Sequence, residues 1–128
     1  MGCSNSKLDE DQEEKLKNLK LPENIYEASK SITKVEISSK IYTGFLLKLF
    51  KEDKDFFCLI LNKECINKDM IERNEKIKFN YDNEKKSKEI NLNEKERYIK
   101  NFSNIGIDLI VIEIIPKDEI EKKYFLFP

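Results

Sequence analysis

The feature that most constrains the fold is the alternation of apolar and polar residues from Ser31 onward. In the clearest segment, Ile77, Phe79 and Tyr81 alternate with lysines and an asparagine. Because side chains of a β-strand point alternately to opposite faces, this period of two predicts half-buried strands. Six segments are predicted to be strands, at residues 31–37, 45–50, 56–61, 76–81, 86–92 and 107–115.

The connections between these segments favour an antiparallel arrangement. The charged stretch 52–55 is predicted to be the tip of a hairpin, and Asn67 to cap a single helical turn through Ile71. The last strand is apolar on both faces, which is typical of a central position. Since closure hides sheet edges, we expect a mainly β fold: one small antiparallel six-stranded barrel, closed or nearly closed, with short helical turns over residues 21–128.

The first 20 residues are polar and highly charged, and we interpret them as a flexible tether. Its start, Met1-Gly2-Cys3-Ser4-Asn5-Ser6, matches the pattern for N-myristoylation of Gly2. One acyl chain holds a protein only weakly, so we expect palmitoylation of Cys3 as a second signal. A short helix is predicted after Pro22, from Glu23 to Ser29.

Composition excludes several classes of function. The chain has 24 Lys and Arg against 25 Asp and Glu, so there is no positive field for a nucleic acid. No apolar run approaches the roughly 20 residues that cross a bilayer. Three scattered cysteines do not form a disulfide framework, which indicates a reducing compartment. Since histidine is absent, His-based catalysis and most zinc sites are excluded. We expect no metal site and no cofactor.

Four segments carry a resemblance to a known family. The chain from residue 21 onward resembles the N-terminal half of trypsin-like serine peptidases, in particular their divergent intracellular set. In that family the third strand runs into a short element that carries the catalytic histidine, and an aspartate opens a later apolar strand and orients that histidine. The segments that carry the resemblance are 31–37, 43–46, 57–62 and 107–112.

The departures from the family decide the expected activity. On this resemblance Glu64 stands where the histidine should be, and Asp108 matches the orienting aspartate. The nucleophilic serine of the family belongs to a second barrel, for which the sequence has no counterpart before Pro128. A carboxylate is a far weaker base than imidazole at neutral pH. We therefore expect a peptidase-like fold that is not an enzyme.

Other roles for these residues stay open. Cys65 is a poor candidate nucleophile, because the neighbouring Glu64 should raise its pKa. A second interpretation is that Glu64 and Asp108 form a carboxylate pair, if the fold brings them together. A third is that Asp108 accepts hydrogen bonds from backbone amides at a strand start. The charged runs 84–86 and 94–97 are expected to be solvated faces.

Two functions remain after these exclusions. The first is a lipid-anchored, catalytically inactive binding or adaptor module at the cytoplasmic face of a membrane, or otherwise in the cytoplasm. Its partner, another protein or a second copy of the chain, would bind an exposed apolar barrel face to which residues 124–128 contribute. The second is a fragment of a truncated or split peptidase that a second barrel completes in trans.

Overall fold

The computed structural model describes residues 28–104 and 106–126 of the chain. These residues form seven strands and one short α-helix, α1 (Lys68–Glu72). Three 3₁₀ helices follow the strands at Lys63–Cys65, Pro116–Asp118 and Lys122–Tyr124. The strands are β1 (Ile32–Ile37), β2 (Lys40–Lys51), β3 (Lys54–Asn62), β4 (Lys76–Tyr81), β5 (Lys86–Asn91), β6 (Ile99–Asn104) and β7 (Ile107–Glu113).

All seven strands belong to one antiparallel sheet with the order β5-β4-β1-β2-β3-β7-β6. The first four strands form a Greek key, because β4 returns to lie beside β1. The last apolar strand, β7, lies between β3 and β6. The prediction of a small, mainly β, antiparallel domain is therefore confirmed.

The predicted number of strands is wrong, and of the two expected forms, a closed or a nearly closed barrel, the sheet is not the closed one. A strand that closed the barrel would have to pair with both β4 and β7. The chain instead forms two shorter strands, of which β5 pairs with β4 and β6 pairs with β7. Asn93 separates them by organising a turn: its side chain accepts a hydrogen bond from the backbone N–H of Lys95 at 3.0 Å, and its carbonyl accepts one from that of Arg97 at 3.0 Å. The hydrogen-bonded sheet consequently remains open between β5 and β6.

The predicted helical turn after β3 is present as α1. The side chain of Asn67 accepts a hydrogen bond from the backbone N–H of Met70 at 2.9 Å, which satisfies one of the free donors at the start of the helix. The helix predicted between Glu23 and Ser29 lies mostly outside the described residues, within which Ala28 and Ser29 are helical.

One core lies on the inner face of the sheet. Val35, Leu59, Phe79 and Ile112 are fully buried there, and the core also receives side chains from β2, β5 and the two helical segments that follow β3. Because strands from both ends of the sheet order contribute to the same core, the sheet must curl around it.

The segment after β7 also belongs to this core, contrary to the expectation that it forms part of an exposed patch. Tyr124 and Phe125 are buried. The Tyr124 hydroxyl donates to Asp82 at 3.2 Å, and its ring packs edge-on against Tyr81. Leu126 pairs with β2, donating to the carbonyl of Leu46 at 3.0 Å. These contacts cover the part of β2 that extends beyond β1.

Arg97 is a second correction, because it lies at the end of a charged run that was expected to be solvated. Its side chain is buried and forms a two-pronged ion pair with Asp118, at 2.8 and 3.1 Å. The same guanidinium donates to the carbonyl of Glu113 at 2.9 Å. Arg97 therefore ties the connection between β5 and β6 to the chain that follows β7.

Candidate functional site

The element that follows β3 carries the first candidate residue, Glu64. β3 runs directly into the 3₁₀ helix Lys63–Cys65, and the side chain of Asn62 caps this helix by accepting a hydrogen bond from the backbone N–H of Glu64 at 3.0 Å. Glu64 itself is exposed, whereas the next residue, Cys65, is buried. The cap thus holds a carboxylate at the surface, at the end of an inner strand.

The second candidate residue, Asp108, is the second residue of β7 and is also exposed. Asn62 at the end of β3 pairs with Leu109 of β7, so the 3₁₀ helix and Asp108 lie at the same end of two neighbouring strands. The fold thereby brings together the two elements that carry Glu64 and Asp108.

Neither carboxylate accepts a hydrogen bond or forms an ion pair within the described part of the chain. Within residues 28–104 and 106–126, Asp108 therefore accepts no backbone N–H group, the role that the sequence left open for it. What the arrangement offers chemically is two solvated carboxylates on neighbouring elements.

The two described cysteines are poorly suited to nucleophilic chemistry. Burial raises the pKa of the Cys65 thiol above its ordinary value, and the neighbouring Glu64 raises it further, while a hydrogen bond from the backbone of Asn62 acts in the opposite direction. Burial and the charge of Glu113 raise the pKa of Cys58 to about 12. Since the thiolate is the reactive species, both thiols are in their unreactive form at neutral pH.

Within residues 28–104 and 106–126, no group of three or more Cys, Asp and Glu side chains is arranged to hold a metal ion. No helix among these residues is both long and apolar enough to cross a bilayer.

The sheet face opposite the core carries apolar side chains on β1, β2, β3, β7 and β6. Ile32 of β1, Phe45 of β2, Ile60 of β3 and Val111 of β7 are aligned across four neighbouring strands. Beside this row, Phe102 of β6 pairs with Leu109 of β7. We call this surface the outer apolar face, and define it by Ile32, Phe45, Leu47, Ile60, Phe102, Leu109 and Val111.

Exposure varies across the outer apolar face. Its centre is covered, since Cys58, Ile60 and Val111 form a small cluster with partly buried neighbours that include Leu47 and Leu109. Its margins are open: Ile32 is 53%, Phe45 40% and Phe102 45% exposed. Ile107, next to Asp108, is exposed as well. The outer apolar face therefore extends to the end of the sheet where Glu64 and Asp108 lie.

Sequence reasoning missed part of this surface. The sequence does not predict β6 as a strand, because its apolar residues, Ile99 and Phe102, are three positions apart and show no period of two. The sequence signal for this surface lies in β2 and β7, whose side chains are apolar on both faces of the strand. Since only one face of a strand can point into the core, the other apolar face of each strand has to lie on the opposite side of the sheet.

The predicted lipidation sites, Gly2 and Cys3, lie outside the described residues, as does the predicted tether of residues 1–20. Comparison of the chain with protein-family models, with curated proteins and with solved structures found no match.

Proposed function

We propose that this chain is a lipid-anchored, non-catalytic binding module with a fold related to one half of a trypsin-like peptidase. It is held at the cytoplasmic face of a membrane by acyl groups on Gly2 and Cys3. Its sheet presents the outer apolar face to a protein partner or to a second copy of the chain.

The observation that carries this proposal is the outer apolar face. Isolated apolar side chains on a surface are common, but apolar side chains grouped on one sheet face across five neighbouring strands, with exposed members at its margins, favour an interaction site. Two of its exposed members, Phe45 and Phe102, are aromatic, and aromatic residues are enriched in the buried centres of protein interfaces.

The relation to trypsin-like peptidases is supported by the placement of Glu64 and Asp108. A third strand that continues into a short helical element, beside a later apolar strand that begins near an aspartate, is the arrangement that the resemblance implies. Their neighbouring positions follow from the pairing of Asn62 with Leu109.

The non-catalytic assignment follows from the chemistry at these positions. Peptide cleavage by this family needs a nucleophile, a base that takes its proton and an orienting group for that base. Here the base position holds a carboxylate, which is a far weaker base than imidazole near neutral pH. The nearest thiol, Cys65, is buried with a raised pKa.

The experiment that tests the binding role places a photo-crosslinking phenylalanine analogue at position 45 of the full chain in cells. We expect a discrete adduct, whose mass distinguishes a second copy from another protein. The matched control carries the analogue at Lys78, an exposed residue of β4 away from the outer apolar face, and should give no such adduct. Equal crosslinking at the two positions, or none at position 45, would rule out this face as the binding surface.

The lipid anchor makes a separate prediction. Gly2→Ala removes the acylated position, so the protein should move from the membrane fraction to the soluble fraction of lysed cells. Cys3→Ser should give an intermediate distribution, because a single acyl chain binds only marginally. If Gly2→Ala remains as membrane-associated as the unmodified sequence, the anchor is not at this glycine.

A split peptidase is the second candidate, and the adjacency of the Glu64 and Asp108 elements is the observation that favours it. In that case a partner that supplies a second barrel would restore cleavage of peptides. Turnover in a mixture with such a partner distinguishes this function from the binding module.

A further inference from the structure

The open side of the sheet exposes the edge of β6. Among the residues that the structure describes, the sheet order ends at β6, which pairs with β7 on one side only. Unpaired strand edges are templates for another strand, and proteins usually blunt them with charges or prolines. The other end strand, β5, carries Lys86, Lys88 and Glu89, whereas Lys100 is the only charged residue of β6.

The register identifies which backbone groups of β6 are free. Tyr98 and Glu113 form a hydrogen-bonded pair through the N–H of Glu113 and the carbonyl of Tyr98, at 2.8 Å. Hydrogen-bonded pairs alternate along an antiparallel ladder, so Lys100 and Phe102 direct their backbone groups toward β7. The N–H and C=O groups of Ile99, Asn101 and Ser103 therefore point away from the sheet, and within the described part of the chain they have no backbone partner.

A groove lies directly beside this edge. Its volume is about 250 Å³, and its lining includes Ile99 and Asn101, two of the residues with free backbone groups. Residues of α1 and of the turn before it also line the groove. Ile71 supplies partly exposed apolar surface among mostly polar neighbours. A strand edge beside a helix, with a groove between them, is a geometry in which domains bind peptides by strand addition.

We propose that this groove is a second binding site, which takes an extended peptide as an additional strand on β6. The peptide backbone pairs with Ile99, Asn101 and Ser103, and an apolar side chain enters the groove beside Ile71. Because strand side chains alternate, the residues on either side of that apolar residue point away from the groove.

The charges around the groove indicate which peptides fit best. Lys68 on α1 is outnumbered by Glu72 and Glu94, which gives the rim one net negative charge. A basic residue near the apolar one therefore complements the site, while an acidic residue is disfavoured. This site lies at the strand edge and is independent of the outer apolar face, so one can fail without the other.

Selection of short random peptides displayed on phage, with the purified full chain as bait, tests the proposal. We expect apolar peptides with a basic neighbour. A selected peptide, synthesised and titrated into the ¹⁵N-labelled chain, should slow amide hydrogen exchange at Ile99, Asn101 and Ser103, and leave exchange at Lys100 and Phe102 unchanged.

Two proline variants on edge strands give a matched comparison. Asn101→Pro removes an N–H that points away from β7, a position at which an edge strand tolerates proline, and should weaken peptide binding about tenfold or more. Ser87→Pro makes the same change on β5. Because Glu75 and Leu92 form a hydrogen-bonded pair, the alternation along the ladder directs the Ser87 N–H away from β4. Ser87→Pro should therefore leave the affinity for the peptide unchanged.

Four outcomes would overturn the proposal. The first is that no peptide is selected, and the second is that Asn101→Pro and the unmodified chain bind the peptide with equal affinity. The third is that the chain dimerises through β6 and that Asn101→Pro abolishes the dimer. The fourth is that the amides of Ile99, Asn101 and Ser103 are protected from exchange in the monomeric chain without peptide. The third outcome would assign the edge to a second copy, and the fourth to another part of the chain itself. If Asn101→Pro fails to fold, amide protection at Ile99, Asn101 and Ser103 of the unmodified chain on addition of peptide still tests the proposal.

Discussion

Replacing Arg97 by alanine should lower the free energy of unfolding by about 3–5 kcal/mol, the range observed when one partner of a buried ion pair is removed. Arg97 is only 3% exposed, and its guanidinium satisfies both oxygens of Asp118 as well as the carbonyl of Glu113. Without it, Asp118 remains as a buried carboxylate with no cation. The effect is large because the same contacts hold the β5–β6 connection against the chain after β7.

Urea denaturation of the purified variant measures this loss. The control is Lys117→Ala, which removes a neighbouring but exposed ion pair with Glu96 and should cost at most about 1 kcal/mol. The double variant Arg97→Met, Asp118→Leu should recover part of the stability, because it leaves no unpaired buried charge. The interpretation is wrong if Arg97→Ala lowers the free energy of unfolding no more than Lys117→Ala does.

Gly44→Ala is expected to destabilise the protein by about 3 kcal/mol, through overpacking at the centre of the sheet. A Cβ at this position would lie 2.6 Å from the carbonyl oxygen of Ile60 and 2.7 Å from a methyl group of Leu61. The Ile60 oxygen belongs to the backbone of an internal strand, so it cannot move aside without disturbing the ladder. Glycine is therefore required at position 44, because the backbone of β3 lies too close to β2 there for a side chain to fit.

Gly106→Ala is the control for this prediction. Gly106 has a φ of 76° but no atom within 4 Å of the added carbon, so its substitution costs only the backbone strain, about 1–2 kcal/mol. Thermal unfolding of both variants compares steric overlap with backbone strain. A smaller loss of stability in Gly44→Ala than in Gly106→Ala would contradict the close packing of β3 against Gly44.

Local pattern predicted the parts of the fold that local chemistry determines. β4 follows from a strict alternation, and α1 follows from Asn67, whose side chain caps the helix as expected. The neighbouring positions of Glu64 and Asp108 were expected only through a family resemblance, because strand register depends on residues far apart in the sequence.

Long-range contacts explain what the sequence did not reveal. The charge of Arg97 indicated a solvated position, yet Asp118, 21 residues later, makes burial favourable. The aromatic residues after residue 123 were expected on an exposed patch, but Asp82 and Tyr81 supply a buried site for Tyr124. The open sheet depends on a turn at Asn93 and on the separate strand β6, in a segment whose apolar residues show no period of two.

Incubation of the full chain with a broad peptide library, followed by detection of new peptide termini by mass spectrometry, tests the proposal that the protein binds without cleavage. We expect no cleavage above a buffer control, because neither Glu64 nor Cys65 supplies an activated nucleophile or a competent base. Cleavage that disappears in both Glu64→Gln and Asp108→Asn would contradict the claim and assign catalysis to these two carboxylates.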